Sequence, residues 1–479
     1  MSVSARPHAV IVPLPAQGHI NPMMHLAKKL AREDGFLITF VNTDFIHARI
    51  MEAKMNIKST LQYHVDETSI RLKSIPDGLE PQDSRTSDFP KVLRALENSM
   101  APSLDKLIQE INEKEEYKVT CLIVDLWMQF LLDVAKRHDI PRAALFPGLT
   151  ATCALRYNSP TLVSSNLLPS NGVPEENKMV KYLPFLPPLY SAHLPWLHGG
   201  KTESELLFEL GQRTTAKMKD MEWTLFNSFY DLEAPVIDEF SKQVGVLPIG
   251  PLIPPQFLHG DLDQKRTVNN TGLWTEELEC LDWLDRQSPC SVIYVSFGSF
   301  AMFNARQLEE LALGLEATQK PFLWVVRNDL MDGKTVALPS GFTERIKDRG
   351  CLVSWAPQLS VLSHPSVACF ITHCGWNSTL ESISMGVPMI CWPYFADQFL
   401  DRTYIVEVWK IGLALNTNED GLIPKDEIAA AVKRLISEEE GGEIKKRVTK
   451  LKGNCRAAVK EGESSYNNYK LFVNAMKRK

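Results

Sequence analysis

Short apolar runs, each followed by a stretch with helical spacing, constrain this 479-residue chain more than any other feature. His8–Pro13 is the first, closed by proline, and Leu37–Asn42, Cys121–Val124 and Ala143–Phe146 repeat it. Runs that are apolar on both faces and alternate with helices fit a parallel sheet covered on each side. The pattern then pauses. Val246–Gln256 reads VLPIGPLIPPQ, and the polar stretch to Thr275 has little periodicity, which predicts a linker over 248–275. It restarts with Val292–Ser296, a helix over Asn304–Thr318, and then Phe322–Val326, Leu352–Ser354, Ala368–Thr372 and Met389–Cys391. The expected fold class is α/β, with two Rossmann-like, doubly wound domains (1–247 and 276–455) facing across a cleft. The charged helical tail, 456–479, could pack on either domain. Ligands of such sheets sit beyond the carboxyl ends of the strands, so the informative residues should follow the apolar runs.

Composition narrows the function classes. The chain is too long for one ordinary core, and 44% apolar with 23% charged residues describes a globular protein. A net charge of -6 gives no reason to expect nucleic acid as a partner. No apolar run approaches the roughly 18 residues that span a bilayer. Val10–Val12 is too short for a signal peptide, and Pro13 and Pro15 follow it. Nine scattered cysteines without a C-x-x-C read as reduced core thiols of a cytoplasmic protein, with no disulfide framework and no zinc site. The glycosylation sequons at Asn269 and Asn377 are expected to be chance. No G-x-G occurs, so the dinucleotide fingerprint is missing, as is the phosphate-cradling G-x-x-x-x-G-K-[ST].

Polar residues follow three of the second-half strands. Phe370–Glu381 reads FITHCGWNSTLE: a strand to Thr372, a small turn, then Asn377 or Ser378 capping a helix that ends near Gly386. Helix starts collect anions because their N–H groups lack partners and the dipole favours negative charge. His373 and the Asn377 and Ser378 side chains add donors there. An ordinary capped helix reads the same way. Trp355–Gln358 (WAPQ) closes another strand, with an indole that either stacks on a base or fills a core. Asp397 beside Gln398 offers a carboxylate and an amide suited to sugar hydroxyls, or an N-cap pair for a helix from Phe399. Near the chain start, PAQGHINP places His19 after Gly18, which lets the backbone bend. Asn21 is then the N-cap and Pro22 the first residue of a helix to Glu33. A histidine in that place is either a turn residue or a base.

The stretch Trp355–Gln398, WAPQ…HCGWNS…ES…GVP…WP…DQ, closely resembles the signature of plant UDP-sugar-dependent glycosyltransferases. The resemblance continues through PAQGHINPM, LFNSFYDLE at Leu225–Glu233, PIGPL at Pro248–Leu252 and VIYVSFGS at Val292–Ser299. It implies the GT-B fold, with an N-terminal acceptor domain, a C-terminal UDP-sugar domain and a final helix that crosses back to the first. It also implies that Trp355 stacks on uracil and the Ala356 backbone reads its edge. Gln358 and Glu381 would then hold the ribose. His373, Asn377, Ser378 and Ser299 would bind the diphosphate, with Ser299 standing where many relatives have threonine. Trp376, Asp397 and Gln398 would contact the sugar. In this family the closing glutamine goes with glucose, and Trp376 stands where a glucuronate site would be expected to present an arginine.

Moving glucose to a hydroxyl needs a base. His19 fits, and Asp125, at the end of Cys121–Val124, is placed to orient it; the resemblance pairs the same two residues. The arrangement parallels a Ser-His-Asp triad with the substrate hydroxyl in place of serine, and inverts an α-linked donor to a β-glucoside without a metal. Trp127, Phe130, Phe146, Leu149 and Thr150, with Phe395 from the second domain, are the candidate acceptor pocket, and 157–200 is expected to loop over it. The acceptor expected is a small apolar alcohol or phenol such as a flavonoid or terpenoid. Its partners are then that acceptor and UDP-glucose, with no nucleic acid, no stable membrane insertion and a monomeric chain. Rival readings are another UDP-sugar or an N-, S- or C-acceptor, a non-catalytic UDP-sugar binder, and a dehydrogenase on a similar fold. The missing G-x-G-x-x-G speaks against the last.

Overall fold

The computed structural model describes residues 6–57, 69–85, 88–259, 274–327, 330 and 338–477. Among them the first half builds β1 (His8–Val12), β2 (Leu37–Thr43), β3 (Ile70–Ile75), β4 (Cys121–Asp125), β5 (Arg142–Phe146), a small hairpin of β6 (Met179–Val180) and β7 (Leu189–Tyr190), β8 (Thr224–Phe226) and β9 (Leu247–Pro248). The hairpin apart, these form one sheet of order β3-β2-β1-β4-β5-β8-β9. The second half builds β10 (Val292–Ser296), β11 (Phe322–Val325), β12 (Gly350–Val353), β13 (Val367–Thr372), β14 (Met389–Cys391) and β15 (Gly412–Ala414), in the order β12-β11-β10-β13-β14-β15. Every pairing in both sheets is parallel. All five residues of β1 are buried, as a sheet covered on both faces requires.

The order of each sheet reverses at its first strand, and that creates a crevice at the carboxyl ends of the two central strands. In the first sheet β1 lies beside β4, with Val12 opposite Val124. In the second, β10 lies beside β13, with Ser296 opposite Thr372. The residues that follow these four strands are therefore brought together by topology.

Several local expectations change. The first helix runs Gln17–Asp34 from an Ala16 N-cap, so His19 lies in its first turn, Asn21 is no cap and Pro22 is internal. The N–H groups of His19 and Ile20 both reach the Ala16 carbonyl at 2.9 Å, which starts the helix before the proline. Gly18 is an ordinary helical residue and bends nothing. The helix after β13 runs Trp376–Met385 from a Gly375 N-cap, so Asn377 and Ser378 are inside it. The edge strand of the second sheet is Gly350–Val353, starting two residues before the expected Leu352–Ser354. Residues 157–200 carry a helix, Ser159–Ser164, and the β6–β7 hairpin rather than loop alone. Strands β3, β8, β9 and β15 escaped the sequence pattern, being either alternately polar (IRLKSI) or only two or three residues long.

Of the stretch 248–275, Pro255–His259 is helical, and residues 260–273, with the Asn269 sequon, lie outside the described residues. The last helix, Ser464–Lys477, packs beside β9 and the first helix. Its Tyr469 hydroxyl donates to Asp34 Oδ2 at 2.6 Å, Lys470 Nζ donates to Asp34 Oδ1 at 2.8 Å, and Asn468 Nδ2 reaches the Pro248 carbonyl at 2.8 Å. All nine cysteines are thiols, but Cys290 is exposed and Cys351 half-buried, so not all belong to a core. Among the described residues no helix is long and apolar enough to cross a membrane.

Candidate active site

At the β1–β4 crevice, Asp125 ends β4 with its side chain fully buried and divides its two oxygens. Oδ1 accepts the Trp127 backbone N–H at 2.9 Å, which caps the turn Leu126–Leu131. Oδ2 meets His19 Nδ1 at 2.6 Å, and the His19 side chain is 25% exposed. A hydrogen bond at Nδ1 places the proton there and leaves Nε2 as the acceptor in the neutral ring. Burial works against an imidazolium at His19, but the Asp125 charge, its hydrogen bond and the charge of Asp397 outweigh it, so the pKa stands above the ordinary value.

The β10–β13 crevice is built differently. The N-terminus of the ten-residue helix Trp376–Met385 has no side-chain cap, so the N–H groups of its first turn lack side-chain partners. His373 lies between two glycines that leave it room. A Cβ on Gly298 would come within 2.7 Å of its ring, and one on Gly375 within 2.4 Å. Gly298 also has φ +67°, which suits glycine. Burial, with the Arg327 charge behind it, pushes the His373 pKa down to about 4, so the ring is neutral near pH 7 and can only offer a neutral N–H. Ser299 sits half-buried in the turn after β10, beside Gly298.

Around this point the expected donor residues do meet. Gln358 Nε2 donates to Ser378 Oγ at 2.9 Å and to Glu381 Oε2 at 2.8 Å, and its Oε1 accepts from Tyr294 Oη at 3.2 Å. Burial raises the Glu381 pKa to about 7, against the opposing Gln358 bond. Trp355 is half-buried with one face stacked on Trp274, ring centroids 5.5 Å apart, and Ala356 follows it, buried. In the loop after β14, Gln398 Oε1 accepts from the backbone N–H groups of Tyr394 and Phe395, at 2.8 and 3.1 Å. The Asp397 pKa is raised by burial, while Arg156 and His19 oppose the rise. Asp397 thus shares a neighbourhood with His19 from the opposite domain.

Two expected sugar and phosphate contacts instead join the domains. Trp376 Nε1 donates to the Asn227 carbonyl at 2.8 Å, so its indole N–H is committed to the first domain. Asn377 Nδ2 donates to the Gly18 carbonyl. That carbonyl is available because Pro22, four residues on, has no N–H to offer it.

The expected acceptor residues divide. Trp127 and Phe130 are half-buried, and Phe395 packs on His198 of the first domain with ring centroids 5.2 Å apart. Leu149 and Thr150 are 0% exposed and line no open pocket. The Thr150 hydroxyl donates to Glu233 at 2.8 Å, and its N–H to the same carboxylate, which caps the helix Thr150–Tyr157. Phe146 is buried edge-on against Phe226 at 5.9 Å.

Sequence reasoning missed Arg156, Arg327, Asn227 and Glu233. Arg327 follows β11 and donates to the carbonyls of Gly298 and Ala301, the latter at 2.9 Å, which fixes the turn bearing Ser299. Asn227 and Glu233 both lie in LFNSFYDLE, whose service is structural. Asn227 Oδ1 accepts the Leu252 N–H of PIGPL at 2.8 Å, and Leu232 offers its carbonyl to Trp409 Nε1 at 3.0 Å.

The chain is 36% identical to 7-deoxyloganetin glucosyltransferase of Catharanthus roseus over 99% of this chain and 98% of that protein. Its structure is similar to that of Os79 from O. sativa in complex with UDP, with a TM-score of 0.80 and 26% identity over 98% of this chain and 100% of that one. It is also similar to Phytolacca americana UGT2 complexed with UDP-2fluoro-glucose and pterostilbene, with a TM-score of 0.76 and 29% identity over 99% and 100%. The fold is GT-B. Residues 52–452 match UDP-glucoronosyl and UDP-glucosyl transferase, and the chain belongs to that family.

Proposed function

We propose that the protein transfers glucose from UDP-glucose to a hydroxyl of a small, largely apolar plant metabolite, such as a flavonoid, another phenolic or a terpenoid, with inversion to a β-glucoside. One observation carries this reading: His19, braced by Asp125 at 2.6 Å, stands beside Asp397 across from an uncapped helix start. His19 Nε2 accepts the proton of the acceptor hydroxyl as its oxygen bonds to the anomeric carbon. The bond from that carbon to the diphosphate oxygen breaks, and its electron pair leaves with UDP. Asp125 holds the tautomer and stabilises the imidazolium. The first turn of Trp376–Met385, including the Asn377 backbone N–H, meets the diphosphate by hydrogen bonding together with Ser299, Ser378 and neutral His373. Trp355 stacks on uracil with the Ala356 backbone at its edge, and Gln358 and Glu381 take the ribose. A ribose hydroxyl donating to Glu381 favours its carboxylate form. Asp397 and Gln398 take glucose hydroxyls, and Trp376 contributes through its backbone, since its indole N–H is engaged. The reading needs no metal. Nine thiols without a disulfide support a cytoplasmic location.

The test is UDP release with a panel of phenols, alcohols and acids, for wild type and His19→Ala. Loss of turnover by about 10²–10⁴-fold with UDP-glucose binding retained is expected. Near-wild-type turnover in His19→Ala, or no UDP release with any acceptor, would overturn it.

A further inference from the structure

Arg156 is a buried cation whose hydrogen-bonding groups are only partly used. It lies in the last turn of Thr150–Tyr157 and is 8% exposed. Nη2 donates to the Pro195 carbonyl at 2.7 Å, but Nε and Nη1 are buried without a partner. Among the described residues no carboxylate forms an ion pair with it. Arginine stays charged, so two empty donors in a buried place, one on each edge of the guanidinium, demand an explanation.

The surroundings point to the acceptor side of the cleft. The guanidinium lies over the Trp127 ring, 5.1 Å from its centroid. Trp127 is the residue whose N–H holds Asp125, so one side chain separates Arg156 from the His19–Asp125 pair. Helix Lys201–Ala216 lays Gly211 against Nη1, where a Cβ would lie 2.7 Å away, so glycine lets the helix pack on that edge of the guanidinium, and Nε lies on the opposite edge. Asp397 feels the charges of both Arg156 and His19, so its carboxylate lies within electrostatic reach of both.

We propose that Arg156 anchors a carboxylate on the acceptor, so that preferred acceptors are hydroxylated carboxylic acids glucosylated on the hydroxyl. The inference rests on the glucosyl transfer proposed above and adds the anionic group to its substrate class. The apolar body of the acceptor lies against Trp127, its hydroxyl reaches His19 Nε2, and one oxygen of its carboxylate accepts from Nε in a charge-assisted hydrogen bond.

The test uses three acids with different spacings, 4-hydroxybenzoate, 4-hydroxyphenylacetate and 4-hydroxycinnamate, each beside its methyl ester. Wild type should favour at least one acid over its ester by roughly 10- to 100-fold in kcat/KM, the scale of hydrogen bonds to a charged group. The product should be the phenolic glucoside. Arg156→Met should erase that preference while leaving ester turnover and the KM for UDP-glucose within a few-fold of wild type. Arg156→Lys, which keeps the charge and loses the guanidinium, should retain part of the preference, and serves if the methionine variant does not fold. Calorimetric binding of the acids in the presence of UDP reads the same preference without turnover. Preference for every ester, equal loss of acid and ester turnover in the variants, a glucose ester as product, or no acid binding would each overturn the proposal. UDP release with esters alone would sink the anchor and leave the transferase reading standing.

Discussion

The two crevices are made by the same strand order, and each presents a histidine at the carboxyl end of a central strand, yet the two rings are driven in opposite directions. His19 is half-buried beside two carboxylates, Asp125 and Asp397, and its pKa rises. His373 is half-buried beside a guanidinium, and its pKa falls to about 4. Burial penalises the cation in both, so the sign is set by the neighbouring charge. One ring can take up a proton as a reaction proceeds; the other is held neutral and meets its partners by uncharged hydrogen bonds. On the function proposed above, equal topology therefore yields a proton-handling half and an anion-binding half.

Removing the charge that defines the first half should have the largest effect. Asp125→Asn keeps the shape and the capping oxygen but loses the carboxylate that fixes the His19 tautomer. A fall in kcat of about 10²–10⁴-fold is expected, with UDP-glucose KM little changed. The pH dependence carries the sign. The base must be neutral, so activity falls as pH drops through the raised His19 pKa, and the acid limb of kcat/KM should lie above the ordinary histidine value. In Asp125→Asn burial acts with less opposition, and the limb should move to lower pH. Stability runs the other way. The contribution of the His19–Asp125 pair is complete below the unfolded histidine pKa and is lost as pH rises through the raised folded one. A limb that stays in place in the variant would show that another group titrates.

The second half should respond without a pH signature. His373→Ala removes one neutral donor to a charged diphosphate, for which a rise in UDP-glucose KM of roughly 10- to 100-fold is expected. With a pKa near 4 the ring does not titrate between pH 5.5 and 8, so the ratio of variant to wild-type KM should be flat across that range. A ratio that climbs toward acid would mean that His373 binds as a cation, and the contrast between the crevices would collapse.

Legibility in the sequence follows the same division. The anion-binding half is nearly contiguous in the chain, because β13, its turn and its helix deliver His373 to Glu381 in one piece. Trp355 and Gln358 follow β12, and Asp397 and Gln398 follow β14, all within 44 residues of sequence, so a local pattern carries most of that half. The proton-handling half joins residues 106 positions apart, and there the sequence supplied only a histidine and an aspartate at strand ends. Helix starts were misjudged where proline and asparagine looked like boundary signals. Backbone bonds to Ala16 started the first helix early, and Gly375 took the cap that Asn377 resembled. Thr150 looked like a pocket residue until Glu233, 83 positions away, engaged it from a motif with no chemistry on its face. Arg156 had no local signal at all, since only the tertiary fold shows that its donors are unmatched.

A smaller change sharpens the account of His373. Gly375 has φ -58°, which alanine adopts without strain, so Gly375→Ala tests space alone. The new Cβ would lie 2.4 Å from His373 Nε2, and the ring must turn away. A displaced rotamer costs about 0.5–1.5 kcal/mol, which predicts a roughly 2- to 10-fold rise in UDP-glucose KM, less than in His373→Ala, and no further loss when the two changes are combined. Additive losses would mean that Gly375 serves the diphosphate through its own backbone.

The least effect is expected where the halves touch. Pro22 withholds the N–H that the Gly18 carbonyl would otherwise receive within the helix, and the Asn377 amide from the other domain takes its place. In Pro22→Ala the helix can satisfy Gly18 by itself, so the cross-domain bond loses its advantage. Asn377→Ala should destabilise wild type by about 0.5–1.5 kcal/mol and the Pro22→Ala background by less, as read from urea unfolding without UDP. The difference between those losses is the coupling of the two positions. Equal losses in both backgrounds would show that the proline is incidental, and that the crevices are held together by Trp376, Trp409 and the stacked loops instead.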